Sequence, residues 1–248
     1  MSLIFKVAEL RNEIQAFRNL ARDFIAPGAD GVLSQAQADL ENIARRSGGM
    51  IAWCIRPAYA FRTALSDGEY MPGKKKGGEK IHAEITFIWE IEPVRKKGGK
   101  QALEVRLVGK ASTMVRLISG GPETASPEEL AMWRMEVADD NSPGSYFHVQ
   151  VLGREESAPF PSAIDVPRLP SVLMSPFACM EFALAELFQE RWAKHAAEGT
   201  SETLAWRAIQ GPRHDKQLAW HAEQIKSNSG SPWAAWKAAK PPEDLFNR

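Results

Sequence analysis

Apolar and polar residues recur along this chain with two different periods. Val7, Leu10, Ile14, Phe17, Ala21 and Phe24 fall three or four residues apart, the spacing of one helical stripe. That stripe predicts a helix over 4–26, with Glu9, Arg11, Glu13 and Arg22 on its wet side and Pro27-Gly28 ending it. A second helix is predicted over 34–46. Ser34 and Gln37 have the spacing of a capping box, in which each side chain satisfies a free backbone N–H of the first turn. Ser47-Gly48-Gly49 stops that helix. The apolar run 50–56, closed by Pro57, reads as a short buried strand.

The period then changes to two. Ile81, Ala83, Ile85, Phe87, Trp89 and Ile91 alternate with more polar positions, the signature of a strand with one dry face. Residues 102–108 alternate likewise and 113–118 continue the pattern, with Gly109 between them marking a bend or bulge. Further strands are expected at 132–138 and 146–152, the last entered through the turn cluster 139–144. Short connections imply antiparallel pairing. The expectation is an antiparallel meander of four or five strands.

The helical period returns after Ser175-Pro176, a cap followed by proline in the first turn. Phe177, Met180, Leu184, Leu187, Phe188 and Trp192 form one face, and Gly199 closes the helix. A helix from about Ser201 is predicted to break at Gly211-Pro212 and resume over 215–226. Ser231-Pro232 starts a last short helix that Pro241-Pro242 ends. Helices, then strands, then helices is an α+β order. The chain reads as one α+β domain over 1–248, with helices at 4–46, a sheet over about 50–152 and helices over about 175–240 packed against it.

Composition narrows the class. The 248 residues carry 31 basic and 31 acidic side chains, so formal net charge is zero. That balance argues against a globally basic nucleic-acid binder. Cys54 and Cys179 both sit among apolar neighbours and read as buried, reduced thiols, not as a disulfide framework. The amino terminus shows no secretory signal pattern, and no apolar run is long enough for a membrane span, so a cytoplasmic, membrane-free protein is expected.

No nucleotide-binding glycine loop, nucleophile elbow, zinc-protease motif or kinase motif occurs. Nothing calls for a cofactor or a metal. The polar side of the sheet is the main candidate for chemistry. Alternation puts Tyr146, His148 and Gln150 opposite Phe147, Val149 and Val151, and neighbouring strands add His82, Glu84, Arg106, Arg134 and Glu136. A histidine among carboxylates suits proton transfer. Such a face also suits plain solvation, because an antiparallel sheet buries only one side.

Two lysine-rich loops flank the first long strand. One holds Lys74, Lys75 and Lys76, the other Lys96 and Lys97. A strand of about 13 residues at ~3.4 Å each would part them by roughly 40 Å. Each suits sequence-independent contact with a phosphate backbone, or a solubilising hairpin tip. Tryptophan is uneven: five of the 8 lie after residue 191, and Trp233 and Trp236 share a helical face suited to a partner or to core docking.

Residues 141–192 carry a pattern of their own. Phe147-His148-Val149-Gln150 is followed by Pro167-Arg168-Leu169-Pro170 and by the Ser175-Pro176 helix start. This pattern resembles a module of uncharacterised bacterial proteins with an F-H-x-[HQ] strand, a P-R-[IL]-P segment and an S/T-P-capped helix. The resemblance implies His148, Gln150 and Arg168 as the positions of any site the module carries, with Gln150 where relatives have a second histidine. No activity comes with it. Pro167 and Pro170 also hold the Arg168 loop extended, and a fixed guanidinium suits a carboxylate or phosphate.

The expected function is a non-enzymatic binding or accessory protein in a larger bacterial cytoplasmic assembly, with protein partners. The stripe over 4–26 also suits a seam between two copies of the chain. One alternative is a hydrolase or nucleotide-processing enzyme on the polar face, with His148 and Arg168 as catalytic candidates. Another is nucleic-acid backbone binding through the lysine loops.

Overall fold

The computed structural model describes residues 3–70, 79–95, 102–121, 127–138, 145–152, 168–172, 175–231 and 240–247. The strands are β1 (Ile4–Lys6), β2 (Ile51–Ile55), β3 (Phe61–Arg62), β4 (Ser66–Asp67), β5 (Lys80–Val94), β6 (Glu104–Ser119), β7 (Glu129–Val137), β8 (Phe147–Leu152) and β9 (Arg168–Pro170). The helices are α1 (Val7–Leu20), α2 (Ala29–Arg45), α3 (Pro176–Ala197) and α4 (Ser201–Ser227). The α+β class and antiparallel pairing hold, but the sheet has 9 strands and not four or five.

A long hairpin, β5–β6, is the spine. On one side β2, β3 and β4 pair with successive stretches of β5; on the other β1 and β7 share β6, followed by β8 and β9. β1, β3, β4 and β9 have two or three residues each. That is too few to show any period. Ile4–Lys6 joins the sheet instead of α1 because β6 offers it a partner, and Phe5 docks 5.0 Å from the Trp89 ring.

The predicted bulge falls at Gly109. Trp89 pairs with Ala111 and Ile91 with Leu107, so Val108, Gly109 and Lys110 stand opposite Glu90 alone. Two extra residues preserve the alternation of faces, which one would invert. The bulge turns the Lys110 amide onto Glu90 Oε2 at 2.7 Å. A Cβ on Gly109 would meet that oxygen at 2.1 Å and Glu90 Cβ at 3.0 Å. Gly109→Ala should therefore cost about 1–3 kcal/mol in urea unfolding, as overpacking does. Truncating Glu90 in the same chain should recover part of it. A neutral Gly109→Ala would mean that the strands part freely here.

The four helices lie over one side of the sheet: α2 and α3 pack on the buried, odd-numbered face of β5, α1 packs on the other three helices, and α4 reaches the sheet at Phe147 of β8. One core joins Leu10, Ile14 and Phe17 of α1, Leu33 and Leu40 of α2, Trp53, Phe87 and Trp89 of the sheet, and Phe177 and Leu184 of α3. Leu10, Ile14 and Phe17 are each 0% exposed, Ala21 is 0% and Phe24 3%. The α1 stripe is thus covered within the chain, and no seam is left for a second copy. The helix is also shorter than expected.

α2 begins earlier than predicted. Gly28 caps it at φ 86°, a conformation favourable for glycine. Ser34 lies inside the helix and donates to the Asp30 carbonyl, while Gln37 donates to Glu41. α3 starts as predicted, with Ser175 accepting from the Ala178 amide at 3.2 Å. α4 runs through Gly211-Pro212 without the predicted break. Pro212 removes one backbone donor, but Trp206, Gln210, Arg213 and Gln217 form a buried stripe on both sides of it. The expected helix after Ser231-Pro232, with Trp233 and Trp236, lies outside the described residues.

Candidate functional site

The polar face is built by strict alternation on β5 to β8. Register sets Glu136 beside His148 and Arg134 beside Gln150, and Gln150 opposite Arg168 of β9. The structure therefore brings together His148, Gln150, Arg134 and the backbone of Arg168. It does not bring the two histidines together. His148 aligns through Glu136 and Ser112 with Ile88, six residues along β5 from His82, or roughly 20 Å at ~3.4 Å per residue. Tyr146 stands edge-on to Phe147 at 4.8 Å. Lys74, Lys75, Lys76, Lys96 and Lys97 lie outside the described residues.

This face is paired, not open. His148 is 3% exposed and Gln150 2%, so the plain solvated-face reading does not hold for these two. Arg134 donates to Gln150 Oε1 at 2.6 Å and its Nε lies 3.7 Å from Glu136. His148 Nε2 is 3.6 Å from Glu136 Oε2, and Nδ1 is 3.1 Å from the Ser145 carbonyl. Both ring nitrogens thus face oxygens of the protein itself, and the ring is buried among them. The space beside Glu136, lined by Trp89, Thr113 and Ser171, is about 10 Å³. That is at the roughly 10–15 Å³ limit for one water. Toward β3, Glu84 is held by Arg62 at 2.8 Å and by Arg116 at 3.3 Å, and Arg116 also grips Glu129 at 2.5 Å.

Glu136 is under opposed influences. Burial pushes its carboxyl up, but His148, Arg134 and Ser112 together hold it below its ordinary 4.5. The unfolded state then binds more protons in acid. Stability from this group is complete above the ordinary carboxylate value and is lost as pH falls through the folded one. Burial also lowers His214 and His221, which act in the same direction. Urea unfolding between about pH 6 and pH 3 should show this acid loss, and Glu136→Gln should make it shallower. An unchanged acid limb in that variant would show that Glu136 is not a main contributor.

A second polar centre was hidden in the sequence. Glu13, assigned above to the wet side of its helix, is 0% exposed. Gln210 Nε2 donates to it at 2.7 Å, Arg213 Nη1 lies 2.7 Å away, and the Ser175 hydroxyl donates to the same carboxylate. Three helices thus meet on one side chain. The available signal was the 3–4 spacing of Trp206, Gln210, Arg213, Gln217 and Trp220, a helical stripe written partly in polar residues. Nearby Cys179 is fully buried, and burial pushes its thiol far up, so it stays protonated. Cys54 departs from expectation: it is half-exposed.

A larger concavity lies elsewhere. A groove of about 920 Å³ runs between α2 and β2, lined by Gln35, Asp39 and Asn42 from the helix, Arg46 just after it, and Ile51, Ala52, Cys54 and Ile55 from the strand. Its volume falls in the ~300–1,000 Å³ range of ligand sites. Trp53 fixes its floor, donating from its indole to the Ala36 carbonyl at 2.8 Å. No sequence period marks this groove, because it forms between two elements.

Among the described residues, no group of three or more His, Cys, Asp or Glu side chains is placed to hold a metal ion, and no helix is long and apolar enough to cross a membrane. No protein-family profile, curated protein or solved structure matches the chain.

Proposed function

We propose that this chain is a non-enzymatic binding or accessory protein of a larger bacterial cytoplasmic assembly, and that the groove between α2 and β2 is its working surface. The groove itself carries the reading. It offers the volume and open lining that the His148 face lacks. The bacterial setting rests on the resemblance over 141–192. Nucleic-acid contact through the lysine loops is an alternative that concerns residues outside the described ones.

Light scattering with size exclusion tests this. Mixed with the products of neighbouring genes, the chain should shift to a defined larger complex. Asn42→Trp, which fills the groove from an exposed position, should return it to its own mass. A complex indifferent to that substitution, or no complex at all, overturns the reading. Turnover lost in His148→Ala at an unchanged melting temperature would favour the hydrolase or nucleotide-processing alternative instead.

A further inference from the structure

We infer that the groove receives an extended peptide segment, apolar in its middle and acidic at both ends, which adds to the free edge of β2 as a further strand; this rests on the reading of the groove as the working surface.

The first observation is the edge itself. β2 is the outermost strand on its side and, among the described residues, pairs with β5 alone. Among the described residues, its outward N–H and C=O groups therefore lack strand partners. Native sheets usually blunt such an edge with a charge, a proline or a bulge. β9, outermost at the other side, carries Arg168 and Pro170. β2 reads Ile-Ala-Trp-Cys-Ile in unbroken register and carries none of these. An apolar, regular, unprotected edge is a template for pairing.

The second observation is where the groove runs. Successive residues of a strand point to opposite faces. The groove touches Ile51 and Ile55 of one face and Ala52 and Cys54 of the other, so it follows the edge. Its opposite wall is a stripe of α2, Val32, Gln35, Asp39 and Asn42, continued by Arg46 just past the helix end. A helix of 17 residues is about 26 Å long, and five strand residues span about 17 Å, so a partner strand of five to seven residues fits between. Backbone pairing would supply affinity, and alternate side chains would rest on Val32, Ile43 and Tyr59.

The third observation is charge. Arg46 follows the end of α2 from which the chain turns toward β2, and Arg56 directly follows β2. Both line the groove, both are exposed, and neither has a carboxylate partner among the described residues. The groove's own carboxylate, Asp39, is engaged by Gln35 Nε2 at 2.8 Å. Acidic residues at the two ends of the bound segment would complement these guanidiniums. A second copy pairing edge to edge about Trp53 would bring the cationic ends together, which disfavours it.

The native thiols provide the assay. Cys54 lies in the groove and is half-exposed, whereas Cys179 is buried and protonated, so iodoacetamide should modify Cys54 alone. The probe is a capped peptide of about seven residues with Asp at both ends and alternating Val and Thr between, the length that spans β2. At saturation it should slow Cys54 alkylation at least tenfold, with a Lys-ended counterpart roughly tenfold weaker in Kd, a difference of about 1.4 kcal/mol. Arg46→Glu with Arg56→Glu should reverse that preference. The same peptide N-methylated at alternate residues should give no protection, because it cannot pair. Equal protection by the N-methylated or the Lys-ended peptide overturns the inference. So does a concentration-dependent dimer in sedimentation whose Cys54 is protected without peptide. If no peptide protects Cys54 while Asn42→Trp still dissolves the larger complex, strand addition fails and the binding reading stands. If Asn42→Trp leaves the complex intact, the binding reading fails, whatever the peptides do.

Discussion

Glu13→Ala should lower the unfolding free energy by about 3–5 kcal/mol, because it strands a buried cation. Arg213 is 6% exposed and its Nη1 lies 2.7 Å from the Glu13 carboxylate. Removal of that carboxylate leaves the guanidinium without its counter-charge and frees Gln210 and Ser175 of their shared acceptor. The loss would be a fifth or more of the ~5–15 kcal/mol that holds a typical domain together. Urea denaturation gives the value directly. Removing both charges, as Glu13→Leu with Arg213→Met, should recover most of it, since apolar replacement of a whole buried pair is often neutral. A Glu13→Ala loss below about 1 kcal/mol would mean that water reaches the pair and that the helices do not depend on it.

Trp53→Ala should cost about 3–5 kcal/mol by the same measurement, for a different reason. The side chain is 0% exposed, with its ring 5.0 Å from Phe87, 5.9 Å from Trp89 and 6.0 Å from Phe177. Truncation opens a cavity among three aromatic neighbours that cannot all close in. It also removes the indole donor that ties β2 to α2 at Ala36. Trp53→Phe should keep most of the packing and lose chiefly that hydrogen bond, about 0.5–1.5 kcal/mol. Equal losses in the two variants would place the importance of Trp53 in its donor, not its volume. Because Trp53 anchors the floor of the groove, peptide protection of Cys54 should weaken more in the alanine variant than in the phenylalanine one.

The long elements were legible because their periods are local. The alternation from Ile81 to Ile91 and the stripe from Phe177 to Trp192 each report a dry face without reference to the rest of the chain. Gly109 announced the bulge for the same reason. Glu13 was misread because the helical pattern allows a residue beside the apolar stripe to face either water or another helix. Only the arrival of Gln210 and Arg213, about 200 residues later, decides it. Pro212 was misread because its local penalty is real but is outweighed by the buried stripe around it. On the polar face, alternation placed His148, Gln150 and Arg134 together, but nothing in the local sequence showed that His148 and Gln150 would be buried.

The sequence by itself determined the class of the protein, its main strands and helices, and which side chains share each strand face, since propensity and periodicity act over a few residues. Tertiary structure alone decided the two- and three-residue strands, the burial of Glu13, and the open edge of β2 beside α2. These depend on pairing and packing between segments far apart in the chain, and the closure entropy of such contacts is met only when the whole core forms.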